Sequence, residues 1–394
     1  MKNSTLKRRF GLLLLLALAC VPLIAEEEEE EDKKTPEQEE LEREEALGKR
    51  LAAEQEIKAQ FEYSFNEISD KLVTVTCTSN RGRSFGSGFV ATLNGKTYLF
   101  TNQHVIIGAD KISFKTAYGE TLRPRGVELA ASRDMARLLL ADGTEGFEIT
   151  SRMSIGSPIG VFGNSEGGGV ATELYGKVTS IGSEVVDVSA DIVSGNSGSP
   201  VLNLDQEVIG IASYVQWSND DEDGSKTRHF CYRLTGEQWK PVNWKKYNGE
   251  YGKRYRDNQQ LVESIFEVTE TWYDEPFARM TADNHADSGL RKWATEHNRM
   301  INRIMRMSDQ KTATQHELDN TNKQIKKDMG DSAKALSSVC RKRARQMRML
   351  SQQRELTGYL RDEFEDFAKR LDYSAWQIDR YGDKLSKLNY FHFK

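Results

Sequence analysis

A serine set between glycines, a histidine upstream of it and an aspartate heading an apolar run are the residues that bear chemistry in this 394-residue chain. Acyl transfer to a serine needs a hydroxyl nucleophile, an imidazole to take its proton, a carboxylate to orient that imidazole, and backbone N–H groups for the developing oxyanion. In Gly195-Asn196-Ser197-Gly198-Ser199-Pro200, Ser197 stands just ahead of an apolar segment, Val201 to Leu204. Glycine on either side lets the backbone turn sharply and approach a substrate closely. The N–H groups of Gly195 and Ser197 are the natural oxyanion donors, with Asn196 between them in the same turn.

His104 lies in Thr101-Asn102-Gln103-His104-Val105, and of the six histidines it alone lies upstream of Ser197. His229 follows the serine near a strand start, and His285, His297, His316 and His392 fall in a polar C-terminal region. Asp134 precedes Met135-Ala136-Arg137-Leu138-Leu139-Leu140, at the mouth of an apolar strand where burial against an imidazole N–H is feasible. The rival carboxylate, Asp110, is only six residues from His104 and heads no long apolar run. The expected catalytic set is therefore His104, Asp134 and Ser197.

The elements that must position these residues are short strands. From Leu72 the chain alternates β-branched residues, Val73-Thr74-Val75-Thr76, and then runs as short apolar stretches punctuated by glycine to about Leu234. Phe89 to Leu93 and Lys96 to Phe100 flank Asn94-Gly95, which predicts a tight hairpin that delivers the chain to His104. Further strands are predicted at Thr172 to Ile181, Val185 to Val188, Val201 to Leu204, Val208 to Tyr214 and His229 to Leu234, the pattern of a barrel or sandwich. Beyond about Thr235 the pattern turns helical: Trp293, His297, Met300, Ile304 and Met307 recur at three- and four-residue steps. Leu336, Val339, Met347 and Leu350 do the same, as do Leu360, Phe364, Phe367 and Leu371, predicting antiparallel helices or a coiled coil. The expected division is a signal peptide at 1–25, an acidic, partly helical leader at 26–62, an all-β domain at 63–235 and a helical region at 236–394.

Gly86-Ser87-Gly88-Phe89, TNQHV, Asp134-Met135-Ala136-Arg137-Leu138 and GNSGSPVLNLDQEVIGI resemble the HtrA-like branch of the trypsin-like serine peptidases, and the order His, Asp, Ser matches. The likeness covers roughly Leu72 to Leu234. It implies an all-β double β-barrel of the chymotrypsin type with the triad in the cleft between barrels, and endopeptidase activity on polypeptides with no metal and no cofactor. Two further site expectations come from the resemblance. Asp191, six residues before Ser197, takes the place of the acid that gives trypsins their preference for Lys or Arg, with a solvated loop aspartate as the plainer reading. Ser213-Tyr214-Val215 is the edge to which a substrate strand is expected to add. The chain also departs from the family. Ser199 stands where glycine is usual, Asn196 replaces the aspartate of digestive relatives, and the C-terminal third shows nothing like the PDZ modules that often follow.

The formal net charge of −5 is small for this length, so no global field argues for nucleic acid or an anionic membrane surface. The basic cluster Arg341, Lys342, Arg343, Arg345 and Arg348 reads as the solvated side of a charged helix. Lys2, Lys7, Arg8 and Arg9, the apolar run Phe10 to Ala19 and the small-residue site at Leu23-Ile24-Ala25 read as an export signal to a periplasmic or extracellular location. The apolar run is shorter than the ~20 residues a spanning helix needs, and seven acidic residues from Glu26 to Asp32 follow, so no stable membrane span is expected. Lipid anchoring through Cys20 is the weaker reading, because Ala17 and Leu18 fit that cleavage pattern poorly. The acidic run lacks the spaced ligands of a calcium loop. Cys77 and Cys231 are a conceivable pair, with two buried small hydrophobes the preferred alternative. A protease-fold scaffold acting through its helical region is the second functional reading, and a homo-oligomer formed through that region is a further one. The intact triad argues against the scaffold.

Overall fold

Asn94 and Gly95 both take positive φ, 53° and 73°, and close the two-residue turn that their types predict. The turn joins β2 (Gly82–Leu93) to β3 (Lys96–Thr101), paired from Leu93↔Lys96 to Phe89↔Phe100. The computed structural model describes residues 36–80, 82–165, 170–193, 195–218, 226–308 and 314–387. The expected signal segment with Cys20, and the acidic run from Glu26 to Asp32, lie outside those residues.

The first sheet is completed by β1 (Leu72–Ser79), β4 (Lys111–Thr116), β5 (Thr121–Leu122), β6 (Arg125–Ala130), β7 (Ala136–Leu139), β8 (Phe147–Glu148) and β15 (Trp239–Val242). Its order is β15-β6-β7-β3-β2-β1-β4-β5, with β8 parallel on β2. The other strands, β9 (Pro158–Ser165), β10 (Val170–Ile181), β11 (Val185–Val188), β12 (Pro200–Leu202), β13 (Val208–Ser218) and β14 (Lys226–Tyr232), close into a six-stranded barrel. Where two barrels were expected, the described strands form one closed barrel and one nine-stranded sheet. β5 is only two residues long and bonds to β4 alone, while β15 takes the outer edge of β6, so the sheet's ends do not meet.

Helices α1 (Pro36–Lys58), α2 (Phe65–Ile68) and α3 (Gln103–Ile106) accompany the strands, and α4 (Trp244–Tyr247) leads through a π-turn into α5 (Lys253–Asp274), α6 (Ser288–Ser308), α7 (Gln315–Ser351) and α8 (Gly358–Lys387). Arg341 pairs with Asp379, Arg348 with Asp372 and Ser351 with Glu365. One number rises as the other falls, so α7 and α8 form an antiparallel hairpin. Those contacts, with Arg343 on Asp287, also set acids against the basic cluster, as a charged helix face requires. The periodic residues Trp293, Ile304, Leu336, Phe364 and Leu371 are all buried.

The sheet and the helices share one apolar cluster. Val75, Leu99, Ile106 and Leu138 belong to it together with Tyr251, Ile265, Leu336, Phe364 and Ile378. Strand β15 lies past the expected boundary at Thr235 and pairs with β6, so the first sheet extends into the region read as helical. Cys77, Cys231 and Cys340 are free and buried, in accord with the preferred reading. Cys77 Sγ lies 3.2 Å from the Val105 carbonyl, and burial pushes its thiol up to about 11. Among the described residues no helix is long and apolar enough to cross a membrane.

Candidate active site

His104 sits on the one-turn helix α3, directly after β3. Its Nδ1 meets Asp134 Oδ2, and its backbone N–H donates to Asp134 Oδ1 at 3.0 Å. Asp134 is buried in the turn between β6 and β7. Ser213 Oγ donates to Asp134 Oδ2 at 3.4 Å and accepts from Asn102 Nδ2 at 2.7 Å. Asn102 Nδ2 also donates to the Asp134 carbonyl at 2.5 Å. The Asp134 side chain therefore faces donors at both oxygens, which fixes its orientation toward His104.

Ser197 lines the same cleft as His104, Asp134 and Ser213, a space of about 390 Å³. Ser87, from the Gly86-Ser87-Gly88-Phe89 motif, fixes the serine loop. Its N–H donates to the Ser197 carbonyl at 2.8 Å, and its hydroxyl donates to the Gly195 carbonyl at 2.9 Å. Gly198 has φ +90°, and a Cβ there would lie 2.0 Å from the Ser87 carbonyl oxygen, so only glycine fits. The Asn196 N–H donates to the Val193 carbonyl at 3.1 Å, whereas the N–H groups of Gly195 and Ser197 meet no backbone carbonyl among the described residues. Of the three expected oxyanion positions, the two that flank Asn196 have donors to offer.

Ser199 finds its room at a second glycine. A Cβ on Gly163 would lie 1.9 Å from Ser199 Oγ and 2.9 Å from Ser87 Oγ. Gly163→Ala is expected to destabilise the protein by about 1–3 kcal/mol, the usual range for overpacking. In a Ser199→Gly background that cost falls by about 1 kcal/mol, because the closest clash is gone. Denaturant midpoints of the four proteins measure both effects.

Residues 86–211 match the family model described as a trypsin-like peptidase domain. They form a trypsin-like peptidase domain. The chain is similar to the probable periplasmic serine endoprotease DegP-like of Halomonas elongata, 31% identical over 147 residues, or 35% of this chain and 31% of that one. Its counterpart in Rickettsia conorii is 33% identical over 146 residues, 33% of this chain and 28% of the relative. The chain thus spans less than a third of the length of these relatives. Among solved structures, the serine endoprotease from Yersinia pestis is 26% identical with a TM-score of 0.35, covering 43% of this chain and 62% of that one. The HtrA-type protease AlgW with tripeptide is 19% identical with a TM-score of 0.34, covering 43% and 58%.

The peptidase domain does not bring Asp191 into the cleft. Its side chain is 46% exposed and meets Arg50 of α1 at 3.2 Å and His229 Nε2 at 3.4 Å. The expected buried specificity acid is the solvated loop aspartate of the plainer reading, its charge met by neighbours outside the cleft. Burial lowers the pKa of His229, whose Nδ1 accepts from the Ile192 N–H at 3.1 Å. The Ser213 side chain faces Asp134 rather than a substrate. Tyr214 and Val215 continue β13, paired with Phe230 and His229, and no described strand pairs on their other edge.

What sequence reasoning missed is the helical wall. Arg256 of α5 donates to the carbonyls of His104 at 2.8 Å and Ile107 at 2.9 Å. Gln103 accepts from Thr357 Oγ1 at 2.9 Å, and the Gly358 N–H donates to the Ala131 carbonyl at 2.7 Å. Tyr255, Glu263, Tyr359 and Glu363 complete the cleft. Ser87 was within reach of inspection as part of a motif, but nothing local marks Arg256 or Glu363.

Burial, then the Asp134 charge, pushes the Glu363 carboxyl up to about 7 from an ordinary value of 4.5. The folded protein therefore holds this proton where the unfolded chain has released it. The group's contribution is most favourable below about pH 4.5 and is lost as pH rises through 7. Glu363→Gln is expected to match the parent near pH 4 and exceed it by about 2 kcal/mol at pH 8, from about 1.4 kcal/mol per pKa unit discounted for partial exposure. Chemical denaturation of both proteins across that range reads the difference.

Proposed function

We propose that the chain is an exported serine endopeptidase in which Ser197 is the nucleophile, His104 the general base and acid, and Asp134 the residue that orients His104. Ser197 Oγ attacks the peptide carbonyl carbon while its proton passes to His104 Nε2. The C–N bond then breaks as that proton moves to the leaving amine, leaving an acyl-enzyme. Water repeats the sequence, giving its proton to His104, and hydrolysis regenerates Ser197. The N–H groups of Gly195 and Ser197 receive the negative charge on the carbonyl oxygen, and the substrate backbone adds along Ser213-Tyr214-Val215.

One observation carries this reading. Asp134 engages Nδ1 of His104 and so leaves Nε2 as the basic nitrogen, on a residue that shares its cleft with Ser197. The DegP-like relatives, named as probable periplasmic endoproteases, support the reaction class and an extracytoplasmic site of action. A fluorophosphonate probe is expected to label Ser197 alone. Ser197→Ala should abolish labelling and lower turnover of unfolded casein by about three orders of magnitude or more. Labelling elsewhere, or turnover that survives the substitution, would refute the assignment.

A further inference from the structure

We propose that Glu363 is a specificity-determining residue: its carboxylate receives the ammonium or guanidinium group of a lysine or arginine in a polypeptide lying in the cleft. The inference rests on the peptidase reading and adds a substrate class to it. Residues 253–387 bring the acid to the site; the serine loop does not.

Glu363 lines the same cleft as His104 and Ser197 and is half-buried. Its Oε2 accepts from Tyr255 OH at 3.2 Å. The single Tyr255 proton being so used, the Tyr359 hydroxyl is the donor in the 3.0 Å Tyr255–Tyr359 contact. The carboxylate is thereby aimed, yet no cation within 4.0 Å neutralises it among the described residues. Asp366 holds Arg370, the one lysine or arginine lining the cleft among the described residues, at 2.6 Å, and Arg256 donates to backbone carbonyls. Tyr255, Tyr359 and Phe367 supply the apolar surface that the methylenes of a long basic side chain need. An oriented, partly desolvated carboxylate without a counterion disfavours neutral or acidic side chains and is neutralised by a basic one.

The groups facing Glu363 are Asp134 and His104 from the peptidase domain, Tyr255 and Glu263 from α5, and Tyr359, Asp366 and Arg370 from α8. Because its carboxyl titrates near 7, the preference for basic over neutral peptides should strengthen between pH 6 and 8. A ratio between two peptides on one enzyme cancels any pH dependence that both peptides share.

The test uses the full chain and paired peptides that differ only by lysine, arginine, glutamate or norleucine at one position, chosen from cleavage sites mapped in a random peptide library, or scanned along the peptide if no cleavage occurs. Turnover is read on the parent, and binding by fluorescence anisotropy in a Ser197→Ala background. Glu363→Gln is expected to lower the basic-to-norleucine ratio at least tenfold in both readouts, Glu363→Asp to retain part of it, and Glu363→Lys to favour glutamate. A ratio that Glu363→Gln leaves unchanged overturns the proposal, even where cleavage is robust. Binding that depends on Glu363 without any turnover would sustain it while removing the peptidase reading. Neither binding nor turnover would end both.

Discussion

Asp134→Asn is expected to lower kcat by about four orders of magnitude, as loss of the orienting carboxylate does in serine peptidases, with a melting temperature close to the parent's. The reason lies in the count of donors around Asp134. Its Oδ1 accepts the His104 N–H and its Oδ2 accepts from Nδ1 of the same residue, with Ser213 Oγ beside it. An asparagine satisfies the backbone N–H with its one oxygen and turns its NH₂ toward the imidazole. His104 Nδ1 must then accept, so the ring's proton moves to Nε2, the nitrogen that has to be free to take a proton from Ser197. Steady-state kinetics with a peptide ester, alongside thermal melts, checks both halves. A loss of less than tenfold would mean that Asp134 does not set the tautomer.

Truncation after Thr235 is expected to abolish folding, not merely regulation. The cut removes β15 from the edge of β6, Arg256 from the carbonyls of His104 and Ile107, and Thr357 from Gln103. It also strips Glu237 from Arg133, a buried ion pair at 3.4 Å beside Asp134. Leaving a buried charge unpaired costs several kcal/mol by itself. The apolar loss is larger, because Val75, Leu99 and Ile106 share their cluster with Ile265, Leu336 and Phe364. At about 1.5–3 kcal/mol for each large side chain returned to water, three or four such exposures consume the ~5–15 kcal/mol by which a domain is stable. The shortened chain should lack a near-ultraviolet circular dichroism signal, bind a hydrophobic dye and take no fluorophosphonate label. A soluble fragment that melts cooperatively and labels at Ser197 would show that the helices are accessory.

Much of the peptidase domain was legible because its signals are local. The Asn94-Gly95 turn requires positive φ at two successive residues, which those types permit, and β11 occupies the segment expected of it, Val185–Val188. The helices were legible as periodic apolar faces. Their partners were not, since a stripe of Phe364, Phe367 and Leu371 is equally suited to another helix, a second copy or a sheet. Asp191 shows the converse. Its offset from Ser197 was read by likeness to trypsins, but its neighbours Arg50 and His229 come from 141 positions before and 38 after, and they hold it outside the cleft.

The amino-acid sequence by itself determined the hairpin, the His–Asp–Ser order and the glycines around Ser197, all of which depend on dihedral preferences and residue types within a few positions. Tertiary structure alone decided that Arg256 braces His104 and that Glu363 lines the cleft while Asp191 does not. Those contacts join residues 152 apart in the case of Arg256 and His104, and they exist only because burying one shared apolar core sets α5 and α8 against the sheet.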